Sequence, residues 1–130
     1  MEPRVFYKGH RRSEAGNQEV MVCYEPDAGR IPLLPDRSQN IRNHSPNGFD
    51  WGYLGSGPAQ LALALLLDVT DDEKISLRHY QDFKLIIVAN WGDDWMITPK
   101  EILGWLDILE PQVLEESLCP KPQPKGQGRK

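Results

Sequence analysis

The chain has 130 residues, which is the size of one domain. Hydrophobic residues make up 39% of the chain and charged residues 26%, a balance typical of a globular protein and not of a disordered or membrane-embedded one. The formal net charge of −4 argues against a general binder of nucleic acid or of anionic membranes.

The cysteines and the chain ends favour a cytoplasmic protein. The N-terminus lacks the apolar segment of a secretory signal, and the longest apolar run, 61–67, is less than half of a membrane span. Cys23 and Cys119 lie far apart without a CxxC spacing, which argues against a disulfide framework or a zinc knuckle. We predict a single domain over residues 1–118 and a disordered basic tail, rich in Pro and Gly, over 119–130.

Two segments near the N-terminus alternate with the period of a β-strand. The alternation spans residues 4–10 and recurs at 20–25, and a polar link with a Gly-Asn pair separates the two. This pattern is typical of an antiparallel hairpin. The next segment, 25–49, contains four prolines, which exclude a long helix and leave room for one short strand at 31–34.

The first predicted helix begins at Gly57 and Pro58 and is apolar on nearly every face as far as Asp68. Proline suits the first helical position, and Gln60 is placed to reach back to the helix cap. A helix that is apolar all round is buried against more than one neighbour. We therefore expect this helix at the centre of the fold.

Two Thr-x-x-Glu capping boxes predict two further helices. The box at 70–73 opens a helix that we expect to continue to Asn90, because neither Gly nor Pro interrupts it. The β-branched run at 86–88 also favours a strand, so this choice stays open. The box at 98–101 opens the last helix, which we expect to end near Glu110.

The predicted elements combine into a small single α+β domain. Residues 95–97, just before the last helix, are a candidate for one more short extended piece. The N-terminal antiparallel β-hairpin, with a third short strand beside it, is expected to pack on about three helices.

The glycine-rich segment before the buried helix is the first candidate site. Its three glycines between residues 52 and 57 allow positive φ angles or close approach of the backbone. The amides of the first helical turn form a natural anion site, and two aromatic rings could stack on a base or sugar. The candidate ligand-binding residues are therefore Trp51, Tyr53, Gly55, Ser56, Gly57 and Gln60.

The simpler interpretation of the same segment is structural. It lacks the Gly-Lys-Ser/Thr of a phosphate loop, and its glycines do not follow the order of a dinucleotide fingerprint. The glycines would then form a tight corner, and Phe49, Trp51 and Tyr53 would pack on the buried helix. We expect no cofactor and no bound metal.

Asp36, Asp82 and Lys84 form the second candidate site. They echo the acid-x-lysine metal site of many nucleases, in which two carboxylates hold Mg²⁺ and a lysine orients water. That arrangement requires Asp82 and Lys84 on one face of a strand. On a helix the two side chains would diverge by about 200°, and we favour a solvated Asp and Lys.

The stretch HSPNGFDWGYLGSGPAQLALA, residues 44–64, resembles a family of small uncharacterised domains from bacteria and their phages, known only as a domain of unknown function. The likeness continues through 80–84 and 95–97 and covers about 4–110. Leu54 departs from the pattern, because a smaller residue, often glycine, is expected there. If that position required positive φ, leucine would strain the loop. The resemblance implies a shared fold and an origin in a mobile element, but no activity.

These observations predict a small cytoplasmic binding protein, encoded by a phage or mobile element. It would use the loop 44–57 and the following helix N-terminus to contact a partner protein or a nucleotide-like, phosphate-bearing ligand. The alternative is a Mg²⁺-dependent nuclease-like enzyme using Asp36, Asp82 and Lys84. We expect no membrane partner, and contact with nucleic acid only weakly through the basic tail.

Overall fold

A computed structural model describes residues 4–12, 18–25 and 29–110, so the predicted tail and the middle of the hairpin link, 13–17, lie outside the described residues. The described chain forms one four-stranded sheet and four α-helices, which confirms the α+β class. The strands are β1 (Arg4–His10), β2 (Val20–Glu25), β3 (Gly29–Pro32) and β4 (Asp94–Ile97). The helices are α1 (Asp36–Ile41), α2 (Ser56–Thr70), α3 (Glu73–Ile86) and α4 (Pro99–Leu109), with a 3₁₀ turn at Val88–Asn90.

The sheet is antiparallel throughout, in the order β3-β2-β1-β4. The predicted hairpin is confirmed, with Tyr7 opposite Val22. The third strand exists but begins two residues earlier than predicted, at Gly29. The extended piece at 95–97 is the fourth strand, and it places Ile97 opposite Tyr7 on the other side of β1. The sheet therefore joins segments from both ends of the described chain.

Helix α2 is the centre of the fold, as predicted. Residues 57–67 are all buried, and α2 contacts α1, α3, α4 and the 3₁₀ turn. Its leucines pack against the apolar side chains of β1 and β2, including Tyr7 and Val22. No helix in the part of the chain that the structure describes is long and apolar enough to span a bilayer.

The predicted capping box at 70–73 is wrong, whereas the box at 98–101 is confirmed. Thr70 is the last residue of α2 and donates its hydroxyl to the Leu66 carbonyl (2.7 Å). Asp71 turns the chain with a φ of 54°, and Asp72 caps α3 by accepting a bond from the Ile75 amide (3.1 Å). Three acidic residues in a row offered more than one cap, and the packing of α2 decided which was used.

Helix α3 ends at Ile86, so the prediction that it continues to Asn90 is wrong. The side-chain amide of Asn90 donates to the Ile86 carbonyl (2.9 Å), and the chain tightens into a 3₁₀ turn. That turn points Val88 into the core, where it is fully buried. Residues 82–86 are helical, so the alternative of a strand there is excluded.

Helix α1 was missed, because the prolines around it predicted irregular structure. Pro35 occupies the N-cap position, where its lack of an N–H removes no helical bond. The Ser38 hydroxyl donates to the Pro35 carbonyl (2.9 Å), which closes the first turn. Proline thus starts this short helix.

Candidate functional site

Gln60 fixes the beginning of the loop 44–57 to helix α2. Its side-chain oxygen accepts the amides of His44 (2.7 Å) and Ser45 (2.9 Å), and its nitrogen donates to the Ser38 hydroxyl (2.9 Å) and the Arg42 carbonyl (3.1 Å). The predicted reach of Gln60 back to the helix cap is therefore wrong. A fully buried carboxamide with four bonds of its own joins α1, the loop and α2.

Trp51 belongs to the loop 44–57, but its side chain lies in the core. Its indole N–H donates to the Gly92 carbonyl (2.8 Å), and its ring meets Trp95 edge to face with centroids 5.5 Å apart. Trp91 stacks on the other side of Trp95 at 4.0 Å. Gly9 makes room for this cluster, because a Cβ there would lie 2.5 Å from the Trp95 indole nitrogen. Trp51 is fully buried and presents no ring to a ligand.

Arg11 joins the end of β1 to the loop and to the start of β4. Its guanidinium donates to the Asp50 carboxylate (2.7 Å), to the Trp51 carbonyl (2.5 Å) and to Asp93 (3.1 Å). The guanidinium carbon also lies 5.1 Å from the centroid of the Trp51 ring, which adds a cation–π contact. The Asp50 side chain is only 4% exposed, so the Arg11 guanidinium pairs with a buried carboxylate.

Asp50 lies against the first turn of α2, where an external anion was predicted to bind. A Cβ on Gly57 would lie 2.6 Å from the Asp50 Cβ, so only glycine allows this approach. The Asp50 side chain thus packs beside the helix turn at which an external anion was predicted to bind, and its carboxylate bonds to Arg11, to the Trp51 amide and to the Tyr53 hydroxyl.

The turn into this corner is made by Gly52. Its φ is 89°, and its amide donates to the Val88 carbonyl (3.1 Å). Leu54, by contrast, adopts no positive φ: among the described residues other than glycine, only Asp71 does so. Leucine at position 54 therefore causes no backbone strain in the loop.

Three exposed side chains lie next to the start of α2, and we call Tyr53, Leu54 and Ser56 the loop tip. Tyr53 is 48% exposed and Leu54 is 62% exposed. The Tyr53 hydroxyl donates to Asp50 (3.2 Å), and burial together with the Asp50 charge raises the pKa of Tyr53 above its ordinary value. The tyrosine therefore stays neutral and anchored while one side of its ring faces solvent.

The predicted candidate residues thus divide into two groups. Gln60, Trp51 and Gly57 are buried parts of the architecture, whereas Tyr53 and Ser56 are exposed and Gly55 is half-buried between them. Sequence reasoning did not select Leu54 as a contact residue. The sequence feature that could have indicated Leu54 is that a leucine stands where the family pattern favours a smaller residue.

Residues 7–108 match the model of a protein family described as Family of unknown function (DUF6166). The chain belongs to this family. A search of curated proteins and a search of solved structures each find no match. Membership of DUF6166 brings no activity with it, so function has to be argued from the geometry of this chain.

In this DUF6166 protein the acid-x-lysine arrangement of the nuclease alternative does not form. Asp82 and Lys84 lie on helix α3, where positions two apart point about 200° away from each other. Asp36 is the first residue of α1. Among the residues that the structure describes, no group of three or more His, Cys, Asp or Glu could hold a metal ion.

His44 marks the side of the loop that faces α3. Its Nε2 lies 2.6 Å from the Tyr80 hydroxyl, 36 positions away in the chain. Burial lowers the pKa of His44, and the nearby cations Arg42 and Lys84 lower it further. The folded state therefore favours the neutral imidazole.

The protein is expected to lose stability in acid because of His44. Below the ordinary histidine pKa of 6.5 the unfolded imidazole gains a proton that the folded one resists, so the free energy of unfolding falls as the pH falls. His44→Gln keeps a partner for Tyr80 but cannot titrate. Urea unfolding at pH 7.5, 6.5 and 5.5 should show that the free energy of unfolding falls less steeply with falling pH in the variant than in the wild type. An equally steep fall in both proteins would contradict the role of His44 in the loss of stability.

Proposed function

We propose that this protein is a non-catalytic binding protein whose loop tip contacts a partner protein. The observation that carries the proposal is the exposure of Tyr53 and Leu54, adjacent in sequence, on a loop that internal bonds hold in place. Exposed apolar side chains on a fixed backbone favour association, because they bury apolar surface without the cost of ordering a loop.

The geometry supports a protein partner over a nucleotide-like ligand. A nucleotide would need an aromatic ring to stack on and free positive potential for its phosphate. Trp51 is fully buried, so Tyr53 is the one exposed ring of the two predicted to stack, and the acidic side chain of Asp50 packs beside the helix start where the phosphate would bind. Tyrosine and leucine side by side are instead suited to the apolar centre of a small protein interface.

The expected contribution of Leu54 to the interface is large enough to measure. Complete burial of a leucine side chain is worth about 2 kcal/mol, which corresponds to roughly thirtyfold in affinity. Leu54→Asp should therefore weaken the partner complex at least tenfold. Met96→Asp is the matched control, because Met96 is 64% exposed and lies on β4, away from the loop tip.

Photo-crosslinking in cells of the native host tests the proposal. A benzophenone amino acid at position 54 should give one discrete protein adduct, identified by mass spectrometry, that the same amino acid at position 96 does not give. The identified protein is then purified, and its Kd is measured for the wild type, Leu54→Asp and Met96→Asp. Equal weakening by both variants, or equal adducts from both positions, would overturn the proposal.

Titration with ATP, GTP and inorganic phosphate tests the nucleotide alternative directly. We expect no change in Tm and no change in tryptophan fluorescence; a saturable shift with any of the three would favour a phosphate-bearing ligand instead. Cytoplasmic location and an origin in a phage or mobile element stay predictions. The genes that flank this one would test the origin.

A further inference from the structure

A groove of about 250 Å³ opens between the sheet and the helices, on the side away from the loop tip. Strands β2 and β3 form one wall, and helices α1 and α2 form the other. Most of the lining is apolar, and the charged side chains lie at one end. The lining includes Tyr24, Ile31, Leu34, Arg37, Leu67 and Asp68.

The groove exists because the helices do not reach the β3 edge of the sheet. Ile31 lies opposite Val22, on the sheet face that packs on the helices, yet it is 53% exposed. Leu34, in the connection to α1, is 61% exposed. These side chains therefore leave an apolar surface open to solvent within a concave site.

Asp68 places a carboxylate at the end of this apolar groove. It lies in the last turn of α2, where the negative end of the helix dipole disfavours an acid. Its carboxylate accepts the Tyr7 hydroxyl at 2.5 Å, and burial together with Asp68 raises the pKa of Tyr7 far above its ordinary value. The tyrosine is therefore a neutral donor, and the Asp68 side chain, which is otherwise exposed to solvent, is open to a cationic ligand.

The nearest cation in the groove is already engaged. The Arg37 guanidinium donates to Asp71 (2.5 Å) and to the Leu67 carbonyl (3.5 Å). Two carboxylates and one guanidinium leave one negative charge at this end of the groove. Among the described residues, Asp68 has no ion pair of its own.

We propose that the groove binds a small aliphatic amine, with its ammonium group on Asp68 and its alkyl chain along Ile31 and Leu34. The groove volume of about 250 Å³ lies just below the range of pockets that hold drug-sized ligands, so the ligand is small. An ammonium group is attracted to the Asp68 carboxylate, and the chain covers the apolar wall.

The alternative occupant of such a groove, an extended peptide that adds to the sheet, is disfavoured by Pro32. The Leu33 amide donates to the Val20 carbonyl, so the nitrogen of Pro32 faces away from β2. Proline has no N–H, and the open edge therefore lacks a donor at the last residue of this four-residue strand. The ligand has to bind through side chains instead of through the strand edge.

Three six-carbon probes separate charge from apolar burial. Hexylamine, hexanol and hexanoate are titrated at pH 7 against the ¹⁵N-labelled protein, and the amide shifts of Ile31, Leu67 and Asp68 are followed. Hexylamine should bind saturably, hexanol at least tenfold more weakly, and hexanoate not at all. Equal binding of hexylamine and hexanol would overturn the proposal, because the carboxylate would then contribute nothing.

Asp68→Asn tests the residue. Asparagine still accepts the Tyr7 hydroxyl, so the groove and the Tm should be retained, and hexanol binding is the internal check that the groove is intact. Hexylamine affinity should fall at least tenfold. Asp82→Asn removes an exposed carboxylate on α3, outside the groove, and should leave the affinity unchanged. An equal loss in both variants would show a general charge effect and overturn the assignment.

A fourth probe distinguishes a free amine from a lysine side chain of a protein. Nα-acetyl-lysine amide carries the same ammonium group on a shorter chain with two amides attached. Weaker binding than hexylamine is expected, because the amides cannot enter the apolar part of the groove without losing their hydrogen bonds. Tighter binding of the lysine derivative would overturn the free-amine assignment.

Discussion

Replacement of Arg11 by methionine should lower the free energy of unfolding by about 3 kcal/mol. Methionine preserves much of the side-chain volume but removes the charge, so the buried carboxylate of Asp50 loses its cation. The same change removes the bonds to the Trp51 carbonyl and to Asp93. Urea unfolding at pH 7, monitored by tryptophan fluorescence, measures the difference.

Arg12→Met is the matched control. Arg12 is the next residue and is exposed, so the same loss of charge should change the free energy of unfolding by no more than about 0.5 kcal/mol. The double variant Arg11→Met with Asp50→Asn should recover part of the loss, because the buried group that Arg11 pairs with is then neutral. If Arg11→Met is no worse than Arg12→Met, Asp50 does not depend on Arg11.

Arg11 also shows why the candidate site was only partly predictable. Its partners Asp50 and Asp93 lie 39 and 82 positions away in the chain, and no local pattern connects them. The glycine-rich stretch itself was visible, because glycine spacing is a local signal. Which of its side chains face solvent was not, because burial of Trp51 depends on strands β1 and β4.

The same distinction holds for the secondary structure. The hairpin and the buried helix α2 follow from periodicity, and the Thr98 cap follows from capping within a few residues; the structure confirms all three. Helix α2 begins at Ser56, however, so Pro58 does not occupy its first position as predicted. Helix α3 is capped by Asp72 and not by Thr70, as was predicted, because α2 continues through Thr70. Local chemistry allowed both caps, and the buried helix selected one.

The two sites that we propose lie on different parts of the molecule and depend on different residues. The loop tip depends on the Arg11–Asp50 pair, which holds the loop between β1, β4 and α2. The groove depends on Asp68, one helix turn from the other end of α2. Because the two sites lie at opposite ends of α2 and share no side chain, a change at one site should leave the other intact. Arg11→Met and Asp68→Asn therefore serve as mutual controls, provided that Arg11→Met is assayed below its Tm.

Gly57→Ala should destabilise the protein by about 1–3 kcal/mol, although glycine to alanine in a helix usually stabilises. The new methyl group would lie 2.6 Å from the Asp50 Cβ and 3.2 Å from the Asp50 backbone nitrogen, and neither can move away without disturbing the bond to Arg11. The loop tip should shift with Asp50, so the affinity for the partner protein should fall as well.

Gly104→Ala is the internal comparison for this prediction, because Gly104 lies inside helix α4 and a Cβ there would meet nothing within 4 Å. This variant should be more stable than the wild type by about 0.5–1 kcal/mol, as expected for alanine in a helix interior. Thermal and urea unfolding should therefore show that the same Gly→Ala change lowers the free energy of unfolding at position 57 and raises it at position 104. If Gly57→Ala also stabilises, Asp50 does not pack against the start of α2, and the anchored loop tip loses its physical basis.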